Sequence, residues 1–473
     1  MKNHKTIRTQ LALALSISIL CSSVFMLEGC TDVNSSNSSS TWEILGTVAI
    51  SDGIQLVRND PRMEEGGYTK NGFYRPVIQR KDSSYNICYT DFESGQEIVL
   101  CSQLNCRHND ESCSAWENPW SGYLRTIPVG NQVVLLHSGD LSYFDKYGEK
   151  ALASIELMNA DGTNRQRIHT FSPTEVLATT PNAGMARDAE NLYFATENVS
   201  EGETAAQHRT LYRLNVTTKE LTAIYEMCNE EEHIVGGCGQ NIILEYTPNA
   251  YDFTLPMTEL RSHVISLNPQ TGETVPLFEH SFTDVGMCAD GKYLLFHGKD
   301  MNEVSRQKTK GSNSICTYNL TTGELLAEHP VIGMENFNWT GARAALGCSE
   351  GKLLVWGQRE ILPEEEASAL IEKGKVIPQM LFGIDKDTGE AVRLNWYYTV
   401  DEKVKLTSPC MIVAETADHY FLTCGETWDA ARYKLPDGEV RETSQMWYSY
   451  GFISKQDFWA GTGEITPVIA ATK

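Results

Sequence analysis

Positive charge is what this chain has least of. Its 473 residues include 39 Lys plus Arg against 62 Asp plus Glu, for a formal net charge of −23 and an isoelectric point near 4.9. Phosphate backbones repel a body of that charge, so nucleic acid is excluded as a partner. Glycine (36) and proline (16) are too sparse for a collagenous or Pro-rich fibre. A composition that is 41% apolar and only 21% charged excludes wholesale disorder. Beyond the first thirty residues, no apolar run approaches the ~20 residues that would span a bilayer. Sharp catalytic signatures are missing too. The match to G-x-S-x-G at Gly347-Cys348-Ser349-Glu350-Gly351 lacks the strand-then-helix context of a nucleophile elbow, because a strand follows it. Ser349 therefore reads as a turn residue.

What is present begins with an address. Lys2, Lys5 and Arg8 open the chain, and an apolar stretch runs from Leu11 to Leu27. This is the layout of a secretory signal. It ends Leu27-Glu28-Gly29-Cys30, which resembles the lipobox of bacterial lipoproteins. The resemblance implies that residues 1–29 are removed and that Cys30 carries diacylglycerol. Residues 30–41 then form a Ser/Asn-rich tether, and 42–473 form the body. The expected location is outside the cytoplasm, with the membrane reached only through the N-terminal lipid.

The body repeats a strand–turn–strand unit. Its clearest copies are Leu214 to Glu220, Leu267 to Glu273, Tyr318 to Glu324 and Ile384 to Glu390, three of which end Thr-Gly-Glu. Looser copies lie at Asn159 to Thr163, Phe92 to Gln96 and Ala460 to Glu464. In such a turn Asn or Asp accepts backbone hydrogen bonds through its side chain, and Gly takes the left-handed position without steric cost. Before the hairpins stand strongly apolar strands, as at Val133 to Leu136, Ile242 to Leu244 and Leu353 to Trp356. Seven such units, at a mean step of about 61 residues, predict an all-β chain closed as a β-propeller. Seven blades are favoured, with six or eight as alternatives. A helical insertion is expected near 363–374 (PEEEASALIEKG), between two strands.

The hairpins resemble the Asp-x-x-Thr-Gly repeats of PQQ-type and TolB-like propellers, although Arg393 stands where a PQQ-type repeat would end in Trp. That likeness implies a fold and extracytoplasmic placement, and no chemistry.

Of the thirteen cysteines, three groups can be read. Cys21 and Cys30 belong to the leader and anchor. Cys288 and Cys348 share a register that takes Ala186 and Ala414 in other units, so they read as small side chains beside an inner strand. Cys88, Cys101, Cys106, His108 and Cys113 are local. Within them, Cys101, Cys106, His108 and Cys113 supply three thiols and an imidazole in 13 residues, enough for a structural zinc site. Export favours the alternative that Cys88, Cys101, Cys106 and Cys113 form disulfides, with Cys88 facing Cys101 across the Ser94-Gly95 turn; free thiols are the third reading.

The aromatic clusters at Tyr251, Phe253 and Leu255 and at Trp447-Tyr448-Ser449-Tyr450 suit either a binding surface or strand packing. Two functions remain. The first is a non-catalytic binding or scaffold protein of the cell envelope, whose partner is an envelope protein or a glycan. The alternative is a carbohydrate hydrolase or lyase using carboxylates at the channel mouth. No catalytic residue and no cofactor, beyond the structural zinc, is assigned.

Overall fold

The computed structural model describes residues 53–471, except 58–65, 80–83, 119–121, 179–183, 199–208, 228–231, 251–254, 256–258, 299–312, 336, 361–378, 402–405 and 435–437. The signal, Cys30, the tether and the expected helix at 363–374 lie outside the described residues.

Seven antiparallel sheets, each built on four consecutive strands, form the blades of a β-propeller. Each blade starts with an inner strand beside the channel and steps outward. Blade 4 shows the plan in His233–Cys238, Asn241–Tyr246, Arg261–Leu267 and Thr274–Ser281. The apolar strands singled out in the sequence are the second strands, buried on both faces between neighbouring blades; Val133 to Leu136 and Ile242 to Leu244 are fully enclosed.

The turns behave as their residues dictate. Asn215, Asn268, Asn319 and Asp385 each accept two backbone N–H groups through Oδ1, at 2.7–3.3 Å. Gly272, Gly323 and Gly389 follow at φ near +75°, and in blade 3 Lys219 fills the same position at φ +62°. These turns also bond to the preceding inner turns, as Leu320 N–H does to Gly291 O and Lys386 N–H to Gly351 O. Both sets of tight turns therefore share one face of the ring. The seventh turn departs from the pattern. Between the last two strands of blade 7 stands a short helix, Lys455–Ala460, capped by Ser454 at its start and by Gly461 at its end.

Among the described residues, no strand is shared across the junction between the first and last blades. Blade 1 is made wholly of early residues (Gly67–Tyr68, Gly72–Ile78, Tyr85–Asp91, Glu97–Val99) and blade 7 wholly of late ones (Ile412–Glu415, His419–Lys434, Val440–Ser454, Thr466–Pro467). Aromatic rings join them instead. Phe421, fully buried, lies 5.1–5.4 Å from the ring centres of Phe73, Phe92, Tyr450 and Phe452. Arg75 sits over Tyr450 at 4.7 Å, and the Trp447 indole donates to Ile78 O at 3.0 Å. The Trp447–Tyr450 cluster is thus largely seam. Beyond it, Ile469 N–H donates to Gly95 O and Glu97 N–H to Ile469 O. The same pair of bonds links Ile332 with Gly389 and Ala391 between blades 5 and 6.

An additional strand, Gln55–Val57, lies inside the ring against the inner strand of blade 3 (Met185–Arg187), with Gln55 opposite Arg187 and Val57 opposite Met185. Ile54 N–H donates to Gly239 O of blade 4 at 2.7 Å. Room for it comes from Gly237, where a Cβ would stand 2.1 Å from Ile54 O. Arg187 extends across the ring and donates to the carbonyls of Pro128 in blade 2 and Tyr68 in blade 1.

If the aromatic seam closes the ring, Phe421→Ala should cost about 3–5 kcal/mol. Leu326→Ala, on an exposed outer strand, should cost less than ~0.5 kcal/mol. Thermal and urea unfolding of the two variants measure this, and equal losses would remove the seam from its role.

Candidate functional site

The outer strand of blade 1 is interrupted. Glu97–Val99 pairs with one half of Tyr85–Asp91, and Trp116–Glu117 pairs with the other. The loop between them carries the thiols. Two tight turns shape it: Cys106 N–H donates to Gln103 O at 3.3 Å, and Cys113 N–H to Asp110 O at 3.1 Å. Each turn ends on a cysteine. Asn105 and His108, on either side of Cys106, adopt left-handed φ of +62° and +53°, a conformation costly for a residue with a Cβ. With its amide turned so that the nitrogen faces His108 O, 2.9 Å away, Asn86 holds the second of them in place.

These bends bring four side chains together. The Sγ atoms of Cys101, Cys106 and Cys113 and a ring nitrogen of His108 all lie within 4.8 Å of one another. His108 Nδ1 is 3.3 Å from Cys113 Sγ. Cys113 is buried, and the other three are half-buried. Burial pushes the Cys113 thiol up to about 12 and lowers His108. Burial also acts to raise Cys101, but hydrogen bonds from the Gln103 backbone and the neighbouring thiols leave it below its ordinary value.

Cys88 does not join them. The hairpin register places it opposite Val99, two residues short of Cys101, so the expected Cys88–Cys101 bridge is not made. The Sγ atoms of Cys101, Cys106 and Cys113 are gathered in the loop cluster instead. The symmetry argument failed because it centred the turn on Ser94-Gly95, whereas Thr90 pairs with Glu97 and centres it one residue earlier. Cys288 and Cys348 do lie on inner strands, with Ala186 and Ala414 at matching places.

Below the loop lies a buried charged cluster whose members share no spacing in the chain. Arg165, from the blade 2 hairpin, donates to Ser114 O (3.0 Å) and Trp116 O (2.8 Å) and pairs with Glu117 and Glu156. His137, with no exposed surface, stands 3.8 and 3.7 Å from the same two carboxylates. Burial by itself would raise Glu156, yet the neighbouring His137 and the Arg165 charge hold it far below the usual carboxylate range. One side chain thus ties the base of the thiol loop to the neighbouring blade.

A second cluster joins blades 4 and 5. Tyr293 OH donates to Glu245 Oε2 at 2.5 Å, and His280 Nε2 lies 3.5 Å from Glu245 Oε1. Burial acts to raise Glu245, but His280, His233 and the Tyr293 hydroxyl bring it down to about 2. Burial acts to lower His280, and Glu245 more than reverses this.

The remaining motifs are structural. Ser349 Oγ donates to Glu415 (2.7 Å) and meets Tyr420 OH (2.8 Å), bridging blades 6 and 7. Asp161 caps its own turn by accepting from Thr163 N–H. Tyr251 and Phe253 lie outside the described residues, and Leu255 is exposed.

No family model matches the chain, and no curated protein matches its sequence. Solved structures similar in fold include the β-propeller domain of the trilobed protease from Pyrococcus furiosus, described as having an open velcro topology (10% identity, 84% of this chain and 91% of that one, TM-score 0.43). Others are an acylaminoacyl peptidase from Pyrococcus horikoshii (13%, 82% and 52%, 0.42) and an oligogalacturonate lyase from Vibrio parahaemolyticus (10%, 79% and 88%, 0.42). The chain spans about half the length of the acylaminoacyl peptidase. These likenesses concern the propeller fold alone.

Two outcomes follow from the charged clusters. Arg165→Met leaves two buried carboxylates short of their cation and should destabilise by about 3–5 kcal/mol, read by denaturant unfolding; a neutral effect would show the cluster to be dispensable. At Glu245 the sign is set by its depressed value. Its contribution is complete above about 4.5 and is lost as pH falls toward about 2, while that of His280 is complete below about 6.5 and is lost at higher pH. The Tm gap between the native chain and Glu245→Gln should therefore be widest between those values and narrow below pH 4.5. A gap that stays constant on acidification would contradict the assignment.

Proposed function

We propose that this chain is a lipid-anchored, extracytoplasmic propeller that serves as a non-catalytic binding platform at the cell envelope, in the manner of the TolB-like propellers its turns resemble. The observation that carries the reading is the direction of the strand Gln55–Val57. Its N-terminal end meets the inner turns of blades 3 and 4, at Arg187 and Gly239, and its C-terminal end reaches the opposite face. A tether attached upstream of Gly53 leaves from the tight-turn face and holds that face toward the membrane.

The opposite face then points outward. On it lie the ends of the second strands and the starts of the third, with the connection 138–153 of blade 2 between them. The two long strands of blade 7, of 16 and 15 residues, also project there. Glu439 beside their tip pairs with Lys146 of the blade 2 insertion at 3.2 Å, so the hairpin spans blade 1. A rigid ring bearing variable connections on one face suits recognition of an envelope protein or a glycan. The acidic body favours a partner that is neutral or basic.

The orientation is tested in intact cells by placing a photo-crosslinking residue at Leu255 on the outward face or at Thr271 on the tight-turn face. A discrete crosslinked species from Leu255 alone is the expected result. Crosslinks from Thr271 alone would reverse the orientation. Cleavage of a polysaccharide panel by the purified chain would replace the binding reading with the enzymatic one.

A further inference from the structure

We propose that Cys101, Cys106, His108 and Cys113 form a zinc site that fastens the interrupted outer strand of blade 1. The donor set is the first argument. Three thiolates and one imidazole are a complete tetrahedral shell for a soft-to-borderline ion, with no open position for substrate, which marks such a site as structural. Geometry is the second. A zinc ion with bonds of about 2.3 Å to sulfur and 2.0 Å to nitrogen sets its ligand atoms roughly 3.5–3.8 Å apart. Here they already lie within 4.8 Å, so contraction by about an ångström completes the shell.

The local backbone is the third. Two successive turns each present a cysteine, and the left-handed His108, pinned by Asn86, turns its ring toward Cys113. On binding, each thiol releases its proton to solvent and His108 donates a neutral lone pair, so the ion exchanges three protons for a site of net charge −1. No electron transfer is involved. The site caps the loop whose base Arg165 ties to blade 2. Metal binding would also keep closely spaced thiols from pairing randomly in an oxidising compartment.

Metal analysis of the purified full chain, isolated in detergent without added metal or chelator, provides the test. The expected content is about one zinc per chain. It should be lost in Cys106→Ser and His108→Ala, retained in His108→Cys, and unchanged in Cys316→Ser, which alters a buried thiol of blade 5. Circular dichroism shows which variants are folded. Should Cys106→Ser fail to fold, alkylation of the native chain decides. Cys101, Cys106 and Cys113 are then expected to be protected until zinc is chelated, and to be recovered as free thiols. Any disulfide among these three, stoichiometric iron in place of zinc, or zinc retained in a folded His108→Ala variant would overturn the assignment.

Discussion

Everything in this molecule depends on closing a ring of seven sheets whose first and last members share no strand. A propeller is a chain of similar interfaces, and each blade buries its second strand only because a neighbour stands on either side. Without closure, two blades would each expose a full apolar face. A strand contributed from the opposite terminus would solve this with backbone hydrogen bonds. Here aromatic side chains do it, centred on Phe421 among Phe73, Phe92, Tyr450 and Phe452. Each such pair contributes about 0.5–1.5 kcal/mol beyond the area it buries. The outer edge repeats the ordinary interblade link, with Ile469 bonding to Gly95 and Glu97 as Ile332 bonds to Gly389 and Ala391. The junction is thus a regular blade interface reinforced with rings.

This arrangement frees the N-terminal segment from closing the ring, and it runs in the channel instead. The accommodation is visible in single residues. Gly237 has no side chain because Ile54 O occupies the space a Cβ would need, and Gly236 lies equally close to Cys288 of the next blade. Arg187 crosses toward blades 1 and 2, where it bonds backbone carbonyls and not a carboxylate. A cation so deeply buried requires several aligned acceptors. Its pairing with the strand Gln55–Val57 through the backbone of blade 3 links the tether to three blades at once.

Local information in the chain was readable and long-range information was not. The turn residues specify their own geometry, so Asn268, Gly272 and their counterparts located the hairpins and the blade number followed. The leader and lipobox sit outside the described residues and stand as proposals. Register across a hairpin is different, because moving the turn centre by one residue moves partners by two. That small shift set Val99, not Cys101, against Cys88. The turn expected at Ala460–Glu464 follows directly on the helix Lys455–Ala460, whose capping Gly461 and the nearby Gly463 supply the same left-handed positions. Nothing in the sequence near Arg165, Glu117, His137 or Glu156 foretold their meeting, since the four come from different blades or strands and share no spacing.

Blade 1 emerges as the place where these constraints combine. One flank is the aromatic seam with blade 7, and the blade 7 hairpin passes above it to reach Lys146. Its other flank meets blade 2 through buried ions, an interaction whose desolvation cost makes it a poor source of stability by itself. The outer strand there is also split by the loop from 100 to 115, whose two ends meet at Ile87, where Ile87 N–H donates to Ala115 O and Leu100 N–H donates to Ile87 O. A long loop whose two ends meet at one residue, next to the junction of the first and last blades, gains most from a local crosslink. Four side chains converge on that loop, and the proposed zinc would join them at the point where Arg165 already ties the loop to its neighbour.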